Sequence, residues 1–279
     1  MANFHSDQAE GLRRMLVGPK PRVLTFLSAL PEAEKSAMLV NLGTSLARTG
    51  SDVLLVDACA QAGGVSSRIG MPHGATLLDV ARQQRALNQT VQTMQQGLGL
   101  ATVAREVLRS AAQDPDQARR LKNAFDILAA QADIVVVDGE LDKDGSFPIS
   151  TMTMGEIVVQ VSNSAESIKS AYSIIKRLNA QLGRRPFGVL VTGVSEREAQ
   201  VVYENMAQAA SRYLAVQLNS MGSVPADEHL KRATYLGRSV VEAFPLAGAS
   251  VAFRRLAGRF ASSEARESRP RAAGAHFGI

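Results

Sequence analysis

The sequence has a single cysteine and no long apolar run. The one thiol, Cys59, excludes an internal disulfide bond and is typical of a protein from a reducing compartment. No run approaches the roughly 18 apolar residues of a membrane-spanning helix, and the opening residues MANFHSDQAEG lack the apolar core of a signal peptide. These absences predict a cytoplasmic protein.

The charge is unbalanced towards basic residues, with a formal net charge of +5. Near the C-terminus, Glu264 and Glu267 oppose a larger set of arginines: Arg254, Arg255, Arg259, Arg266, Arg269 and Arg271. A basic end of this kind suits an anionic partner or a membrane surface, and a solubilising role explains it equally well. Residues 263–279 are small, polar and contain Pro and Gly, so we expect a disordered tail there.

Short apolar, β-branched segments alternate with longer segments of helical periodicity from Pro21 onward. The expected strands are Val23–Leu27, Val53–Asp57, Ile134–Asp138, Ile157–Val161, Phe187–Thr192 and about Val216–Val224, with Leu98–Ala104 as a weaker candidate. The expected helices are Ser36–Thr49, Thr76–Gln84, Asp116–Ala130, Ala165–Leu182 and Glu196–Tyr213. Strands that are apolar on both faces, separated by helices, predict a doubly wound α/β domain over residues 20–262, with a mostly parallel sheet and helices on both faces.

Polar side chains stand at the ends of three expected strands. Lys35 and Ser36 follow the first strand at the start of a helix, Asp57 ends the second strand, and Asp138 ends a third. Ligands gather at the carboxyl edge of a parallel sheet, so we expect these four residues to converge there. A Lys-Ser pair at a helix N-terminus suits phosphate, and Ser36, Asp57 and Asp138 offer the oxygen ligands that Mg²⁺ prefers. Either Asp alone is explained as the cap of the next turn, but the threefold coincidence favours a nucleotide site.

The first 19 residues stand apart from the domain. Asp7 is a candidate helix cap, Leu12, Met15 and Leu16 form a narrow apolar stripe, and Gly18-Pro19 ends the helix. A helix of about ten residues is marginal in water by itself, so it must dock on something. Docking on its own domain and folding onto another protein both remain open.

A second amphipathic pattern lies near the C-terminus, at about residues 251–261. Three apolar residues recur at helical spacing with arginines around them; with Val251, the candidates for membrane contact are Phe253, Arg254, Arg255, Leu256 and Phe260. A short helix with a basic face is suited to anionic lipid. The same spacing equally describes a last helix that covers the core.

With these pieces placed, the chain resembles the MinD/ParA group of deviant P-loop ATPases, and within it the FlhG (FleN or YlxH) regulators of flagellar number. The resemblance rests on these segments: DQAEGLRRM at Asp7–Met15, KSAMLVNLGTSLARTGSDVLLVDA at Lys35–Ala58, DIVVVDG at Asp133–Gly139, GEIVVQVSNSAESIKSAYSIIKRL at Gly155–Leu178 and GSVPADEHLKRA at Gly222–Ala233. The N-terminal segment is the specific one, because many MinD-like proteins share the others. The resemblance implies a P-loop NTPase fold.

The chain departs from this group at the phosphate loop. Where the family reads roughly GKGGVGKT, this sequence has ALPEAEKS, and Leu30 replaces the lysine that reaches the partner's nucleotide in an ATP-bound dimer. Without glycines the backbone cannot curl its N–H groups round phosphates, and Pro31 removes one donor. Glu32 and Glu34 would bring negative charge close to the phosphates of a nucleotide, which they would repel. Lys35 and Ser36 persist, but the sequence of the loop as a whole predicts poor phosphate binding.

Two further positions depart in the same direction. Cys59 stands where the family usually has a second Asp, and Thr192 stands where an Asn is expected near the adenine. We therefore expect a scaffold that does not hydrolyse ATP and holds no cofactor. The alternative is a working but atypical Mg-ATPase that uses Lys35, Ser36, Asp57 and Asp138, dimerises on ATP and then binds the membrane.

The resemblance implies that the N-terminal segment carries the activity. In the family this segment docks on FlhF, a GTPase of the signal-recognition-particle type, and stimulates its GTP hydrolysis. Carried over, Gln8 would help to order the catalytic site of the GTPase. The remaining partner contacts would be Asp7, Leu12, Arg13 and Leu16.

Other partners follow from the same resemblance. Flagellar switch-complex proteins or a flagellar transcriptional regulator are candidates, as is weak membrane contact at the inner face of the cell membrane. We expect a monomer or weak homodimer. A third hypothesis, a ParA-like protein on DNA, is suggested only by the basic balance, and nucleic acid is not the expected partner.

Overall fold

The computed structural model describes residues 20–59, 64–71, 74–95, 97–104, 114–142 and 145–262. The predicted partner-binding segment, with Asp7, Gln8, Leu12, Arg13 and Leu16, lies outside these residues. So does the tail predicted for residues 263–279.

Eight strands form one sheet, and the predicted doubly wound α/β class is confirmed. The strands are β1 Arg22–Ser28, β2 Val53–Asp57, β3 Val91–Gln95, β4 Leu98–Thr102, β5 Ile134–Asp138, β6 Glu156–Val161, β7 Phe187–Thr192 and β8 Leu218–Val224. Their order is β3-β4-β2-β5-β1-β6-β7-β8, and only the pairing of β3 with β4 is antiparallel. β3 therefore runs opposite to the other seven strands, and those seven all end at the same edge of the sheet.

Nine α-helices are described. They are α1 Glu32–Ala47, α2 Val65–Arg68, α3 Leu77–Ala81, α4 Pro115–Ala129, α5 Ala165–Leu182, α6 Glu196–Leu214, α7 Glu228–Tyr235, α8 Val240–Ala243 and α9 Gly248–Ala261. Short 3₁₀ turns lie at Leu87–Gln89 and Ser150–Thr153. The predicted helix at Ala165–Leu182 has the same bounds in the structure.

Helices cover both faces of the sheet because successive strand residues point to opposite sides. Leu24 and Phe26 of β1 join the cluster that contains α1 and α9. On the other face, Val23 packs with α4, and Leu27 packs with α5 and α6. Strands such as β2 and β5 are buried along their whole length, which explains their unbroken apolar sequences.

The last helix, α9, is a core-covering helix in this structure. Phe253, Leu256 and Phe260 are each at most 3% exposed and pack in the same cluster as α1. Val251, Arg254 and Arg255 lie on the exposed side of the helix. Membrane contact by α9 would therefore have to use that exposed side, because the apolar stripe faces the core. Among the described residues, no helix is long and apolar enough to span a bilayer.

Candidate functional site

The segment between β1 and α1 is a short turn followed directly by helix. Pro31 has extended backbone (φ −53°, ψ 143°) and precedes the first helical residue, Glu32. The backbone N–H groups of Glu34 and Lys35 already bond to the Pro31 carbonyl, at 2.9 and 3.3 Å. The predicted helix start at Ser36 was therefore wrong by one turn. Proline initiates a helix readily, and two glutamates in the first turn favour its positive end.

Lys35 is buried under this first turn, with 2% of its surface exposed. Its ammonium Nζ lies 2.8 Å from Asp138 Oδ1, 2.8 Å from the Gly139 carbonyl oxygen and 3.1 Å from Glu32 Oε1. A lysine ammonium has three N–H donors, and three oxygen acceptors surround this one. The side chain that sequence comparison assigns to phosphate is thus engaged inside the protein.

The charges of this cluster depend on one another. Burial disfavours the charged form of Lys35, but the carboxylates of Asp138 and Glu32 outweigh it and raise the pKa of Lys35 above its usual value. Burial raises the pKa of Asp138 to about 6, against the opposing pull of Lys35. At neutral pH the pair is therefore ionised, and Lys35 carries the positive charge in this corner.

The two strand-terminal carboxylates hold the chain that follows β2. Asp57 Oδ2 accepts from the Ser66 backbone N–H at 2.9 Å and from the Ser66 hydroxyl, and Asp57 Oδ1 accepts from the Cys59 N–H at 3.1 Å. Asp138 Oδ2 accepts from the Val65 N–H at 3.1 Å. Both carboxylates therefore cap the first turn of α2.

Gly64 shows how closely this turn is packed. A Cβ atom added there would lie 2.3 Å from Asp57 Oδ1, inside contact distance. Any other residue at this position would push α2 away from the carboxylates. This glycine could not be identified from the sequence alone, because its role depends on where Asp57 lies.

Cys59 lies beside the lysine as a neutral thiol. Its Sγ is 3.5 Å from Lys35 Nζ and donates to Glu32 Oε1 at 3.3 Å. Burial, followed by the charge of Asp138, raises the pKa of this thiol far above its usual value. A buried thiol of this kind is neither a good Mg²⁺ ligand nor a reactive nucleophile.

The residues predicted to hold Mg²⁺ do not fit that ion in this arrangement. Ser36, Asp57 and Asp138 are all buried. The carboxylates of Asp57 and Asp138 already accept hydrogen bonds from the start of α2, and Asp138 is also paired with Lys35. Mg²⁺ requires near-octahedral oxygen ligands and usually keeps several waters. Here the Lys35 ammonium supplies the positive charge that a cation would bring.

Next to this closed cluster lies an open cleft of about 550 Å³. The ends of β6, β7 and β8 form its floor, α1 forms one wall and α7 forms the other. Arg68, at the end of α2, crosses between the walls: it donates to the Ala33 carbonyl at 3.0 Å and to Thr234 Oγ1 at 3.1 Å. Sequence reasoning missed Arg68, since nothing in its local pattern marks it.

A buried polar pair lies on the floor of the cleft. Gln160 Nε2 donates to the hydroxyl of Thr192 at 3.1 Å, and both residues are at most 9% exposed. Gln160 was also missed, although a glutamine within the apolar strand EIVVQV is an available signal. Thr192, noted for its departure from the family's Asn, is therefore part of this cleft.

The structure brings together four of the predicted site residues. Lys35, Ser36, Asp57 and Asp138 converge at the carboxyl edge of the sheet, as their strand positions predicted. The nucleotide-binding role of these residues remains a prediction. Of the membrane candidates of α9, Phe260 lies beside the start of β1, away from this group, and Phe253 lines the adjoining cleft.

Comparisons with known proteins bear on the family and, separately, on the fold. Residues 32–240 match the model described as "CobQ/CobB/MinD/ParA nucleotide binding domain". The chain is 30% identical over 224 residues to "Antiactivator FleN" of Pseudomonas aeruginosa, covering 80% of each protein. It is similar in fold to the MinD cell division protein of Aquifex aeolicus (TM-score 0.63, 19% identity, 87% of this chain and 97% of that one). It is likewise similar to MinD complexed with Mg-ADP from Pyrococcus horikoshii (TM-score 0.65, 18% identity, 86% and 95%).

Proposed function

The chain belongs to the CobQ/CobB/MinD/ParA family of nucleotide-binding domains, and from this premise we propose that it is an FlhG-like regulator of flagellar number and placement. It acts by stimulating an FlhF-type GTPase through its N-terminal segment, Asp7–Met15. The MinD-like domain serves as a scaffold that does not hydrolyse ATP and holds no cofactor.

The regulatory role is supported by the similarity to FleN, which covers most of both proteins. FleN is named an antiactivator, a protein that opposes an activator. A flagellar transcriptional regulator is therefore a second proposed partner, and the switch-complex proteins are a third. We place the protein in the cytoplasm, with any membrane contact peripheral and weak.

The loss of ATP hydrolysis is supported chiefly by the environment of Lys35. Its ammonium is buried against Asp138, Gly139 and Glu32, so a phosphate would have to displace three short contacts. Truncating one partner of a buried ion pair typically costs about 3–5 kcal/mol. A nucleotide that pulled Lys35 away would have to offset a similar amount.

The proposed GTPase activation depends on the chemistry of five residues of the N-terminal segment. The amide of Gln8 can donate to and accept from one water at once, which suits it to orient an attacking water in the partner's site. Asp7 and Arg13 fix the segment through charge, and Leu12 and Leu16 are its apolar anchors. None of these roles needs an ATP site in the same chain.

The test is the GTP hydrolysis rate of a purified FlhF-type GTPase in the presence of the full chain. We expect a stimulation of about tenfold or more, because ordering the water and its surroundings is the main catalytic device in such enzymes. The variant Gln8→Ala and a chain that lacks residues 1–19 should both lose the stimulation. Omitting ATP should not change the rate.

The matched control is Gln200→Ala, which makes the same change on the exposed side of α6. If the full chain does not stimulate hydrolysis, or if Gln8→Ala stimulates as well as the parent, the proposed activation is wrong. A stimulation that appears only with Mg-ATP would contradict the scaffold role.

A second candidate function is an atypical MinD-like Mg-ATPase. It is favoured by the convergence of Lys35, Ser36, Asp57 and Asp138 at one edge of the sheet. Titration calorimetry with Mg-ATP distinguishes the two candidates. Binding heat at millimolar nucleotide, followed by phosphate release, would favour the ATPase; no heat would remove it.

A further inference from the structure

The cleft between α1 and α7 is an apolar surface that stands open beside the closed cluster of Lys35. Its volume is about 550 Å³, with Met38 on one wall, Leu230 on the other and Phe253 between them. Tyr235, which also lines the cleft, is 91% exposed. A concave apolar surface that faces water commonly marks the place where another apolar group binds.

The unpaired charges of the lining lie on opposite walls. Glu34 of α1 and Lys231 of α7 line the cleft, and neither has an ion pair within the described part of the chain. Arg68 and Asp227, in contrast, are engaged by backbone groups of α1 and α9. A peptide carries apolar groups and charges of both signs at spaced positions, so it suits these walls better than a ligand of one charge.

Helix α9 joins this cleft to the last described residue, Ser262. The helix begins beside the cleft, which Phe253 lines, and ends near the start of β1, where Arg22 donates to the Phe260 carbonyl. Its 14 residues place the two ends about 20 Å apart. The chain after Ser262 would therefore have to return by about 20 Å to reach the cleft.

The C-terminal segment, residues 263–279, is long enough for this return. Its large apolar side chains are Phe277 and Ile279, and the residues before them are small, polar or charged. Phe277 is 15 residues after Ser262, a length of chain that spans at most about 50 Å. The two apolar residues are thus within reach of the cleft, with residues 263–275 as the linker.

The charges of the C-terminal segment match the path back along α9. The exposed side of the helix carries Arg254 and Arg255, and the carboxylates of Glu264 and Glu267 come first in the segment. The arginines at positions 269 and 271 follow, and they would approach the cleft where Glu34 lies. Opposite charges in this order favour one direction and one register of docking.

We propose that the cleft holds the C-terminal segment of the same chain, with Phe277 and Ile279 between α1 and α7. The linker returns along the exposed side of α9. Because cleft and segment belong to one chain, their effective concentration is about 1 mM, and a modest affinity is enough for docking. This docking is independent of the proposed GTPase activation, which uses the N-terminal segment.

The test uses the absence of tryptophan from the chain, because Phe277→Trp then adds a single fluorescent reporter. We expect its acrylamide quenching constant to be about half that of Ala273→Trp or lower, since an effective concentration of about 1 mM populates the docked form by half even at a Kd of about 1 mM. Ala273→Trp is the matched control, with its indole in the linker. Equal quenching constants in the two variants would overturn the proposal.

A dilution series distinguishes the same chain from a second copy. The ratio of the two quenching constants should stay unchanged between about 1 and 50 μM protein, because docking within one chain does not depend on concentration. Protection of the indole that appears only at the higher concentrations would show that another copy provides the segment, and would overturn the assignment.

One variant in the α7 wall locates the docked segment. Leu230→Asp, made in the Phe277→Trp chain, puts a charge into the half-buried lining and should raise the quenching constant to that of Ala273→Trp. Its matched control is Leu246→Asp, at a position that is 91% exposed. If both variants leave the indole protected, the segment docks elsewhere and the proposal is wrong.

A variant in the opposite wall keeps the test independent of the folding of Leu230→Asp. Ala37→Leu fills space from α1 and should also expose the indole of Phe277→Trp to acrylamide. Ala118→Leu makes the same change on the exposed side of α4 and should leave the indole protected. Equal protection in these two variants, with far-UV circular dichroism like that of the parent, would contradict docking in this cleft.

Discussion

At the scale of single residues, the buried pair of Lys35 and Asp138 decides what this site can do. We predict that Lys35→Met lowers the free energy of unfolding by about 3–5 kcal/mol, because Asp138 then stays buried without its counter-charge. Urea unfolding measures the change. The double variant that combines Lys35→Met with Asp138→Asn should lose less unfolding free energy than the sum of the losses in the two single variants.

A loss below about 0.5 kcal/mol for Lys35→Met would contradict this account, since it would be in the range of an ordinary surface substitution. The exposed Lys122, whose one ion pair among the described residues is a surface pair with Asp126, provides the control as Lys122→Met. The loss of unfolding free energy in Lys122→Met should stay below about 0.5 kcal/mol, as for an ordinary surface substitution.

The pH dependence of stability should report the same pair. Burial raises the pKa of Asp138 to about 6 in the folded protein, above the ordinary value of about 3.9 for an unfolded chain. The folded form therefore binds the proton more tightly. Relative to Asp138→Asn, the parent should be most stable below about pH 4, lose stability between about pH 4 and 6, and level off above.

Unfolding free energies of both proteins measured from pH 4 to pH 8 check this sign. If the unfolding free energy of the parent relative to Asp138→Asn does not vary with pH, or rises with pH, Asp138 is not held in this environment. Lys35 does not titrate in this range, because its pKa is raised above an ordinary value that is already near 10.4.

Sequence reasoning could find these residues but not their partners. Lys35, Asp57 and Asp138 were identifiable because each follows or ends an apolar strand, and strand ends share an edge. The inward direction of the Lys35 side chain was not predictable. It depends on Pro31 starting the helix early and on the Gly139 carbonyl lying within reach across the sheet.

At the scale of elements, the helices were easier to predict than the polar strand. Ala165–Leu182 was found because its apolar residues keep helical spacing between a Ser cap and a Gly stop. β3 was missed, since VQTMQ has neither an apolar run nor clear alternation and pairs only at the sheet edge. Helix α7 was missed because it is short and buries only Ala233 fully.

Asp227 joins two elements that follow β8. Its Oδ1 accepts from the His229 N–H at the start of α7, and its Oδ2 accepts from the Ala249 N–H at the start of α9, both at 2.9 Å. The residue that precedes α9, Ala247, makes no side-chain cap of its own. One carboxylate therefore serves two helix N-termini.

We predict that Asp227→Ala lowers the free energy of unfolding by about 2–3 kcal/mol, since each lost cap costs about 1 kcal/mol or more. Burial raises the pKa of Asp227, but hydrogen bonds from Ala249 and His229 outweigh it and hold the pKa below its usual value. This contribution is present above about pH 4 and is lost as pH falls below it.

Thermal unfolding of Asp227→Ala and its parent at pH 7 and pH 3 tests both statements. The difference in melting temperature should be large at pH 7 and smaller at pH 3. Asp116→Ala, on the exposed first turn of α4, is the matched control. Equal effects of the two substitutions at pH 7 would contradict the joining role.

At the scale of the whole molecule, the sheet ends in an edge strand that a neighbouring copy could extend. Arg259 of α9 donates to the carbonyl oxygens of Ser220 and Met221 in β8, both at 2.9 Å. The register of β8 also shifts there, and Gly222 has φ +110°. A bulge and a covering arginine are two ways in which proteins protect a sheet edge from pairing.

We predict that Arg259→Ala increases self-association, because it frees two edge carbonyls of β8. Light scattering against concentration measures the change, with Arg254→Ala as control, since Arg254 bonds only to the Pro245 carbonyl among the described residues. A similar mass for the two variants at all concentrations would show that the edge needs no such cover. The stability loss should stay below about 1 kcal/mol, because Arg259 is exposed.

The start of β1 fixes where the N-terminal segment is tethered. Arg22 donates to the Phe260 carbonyl at the amino end of the strand, and β1 then runs seven residues, about 20 Å, towards the site. The described chain therefore begins at the amino edge of the sheet, whereas Lys35, Asp57 and Asp138 lie at its carboxyl edge. In the proposed activation, the point at which the N-terminal segment is tethered and the closed cluster of Lys35 are thus at opposite edges of the sheet.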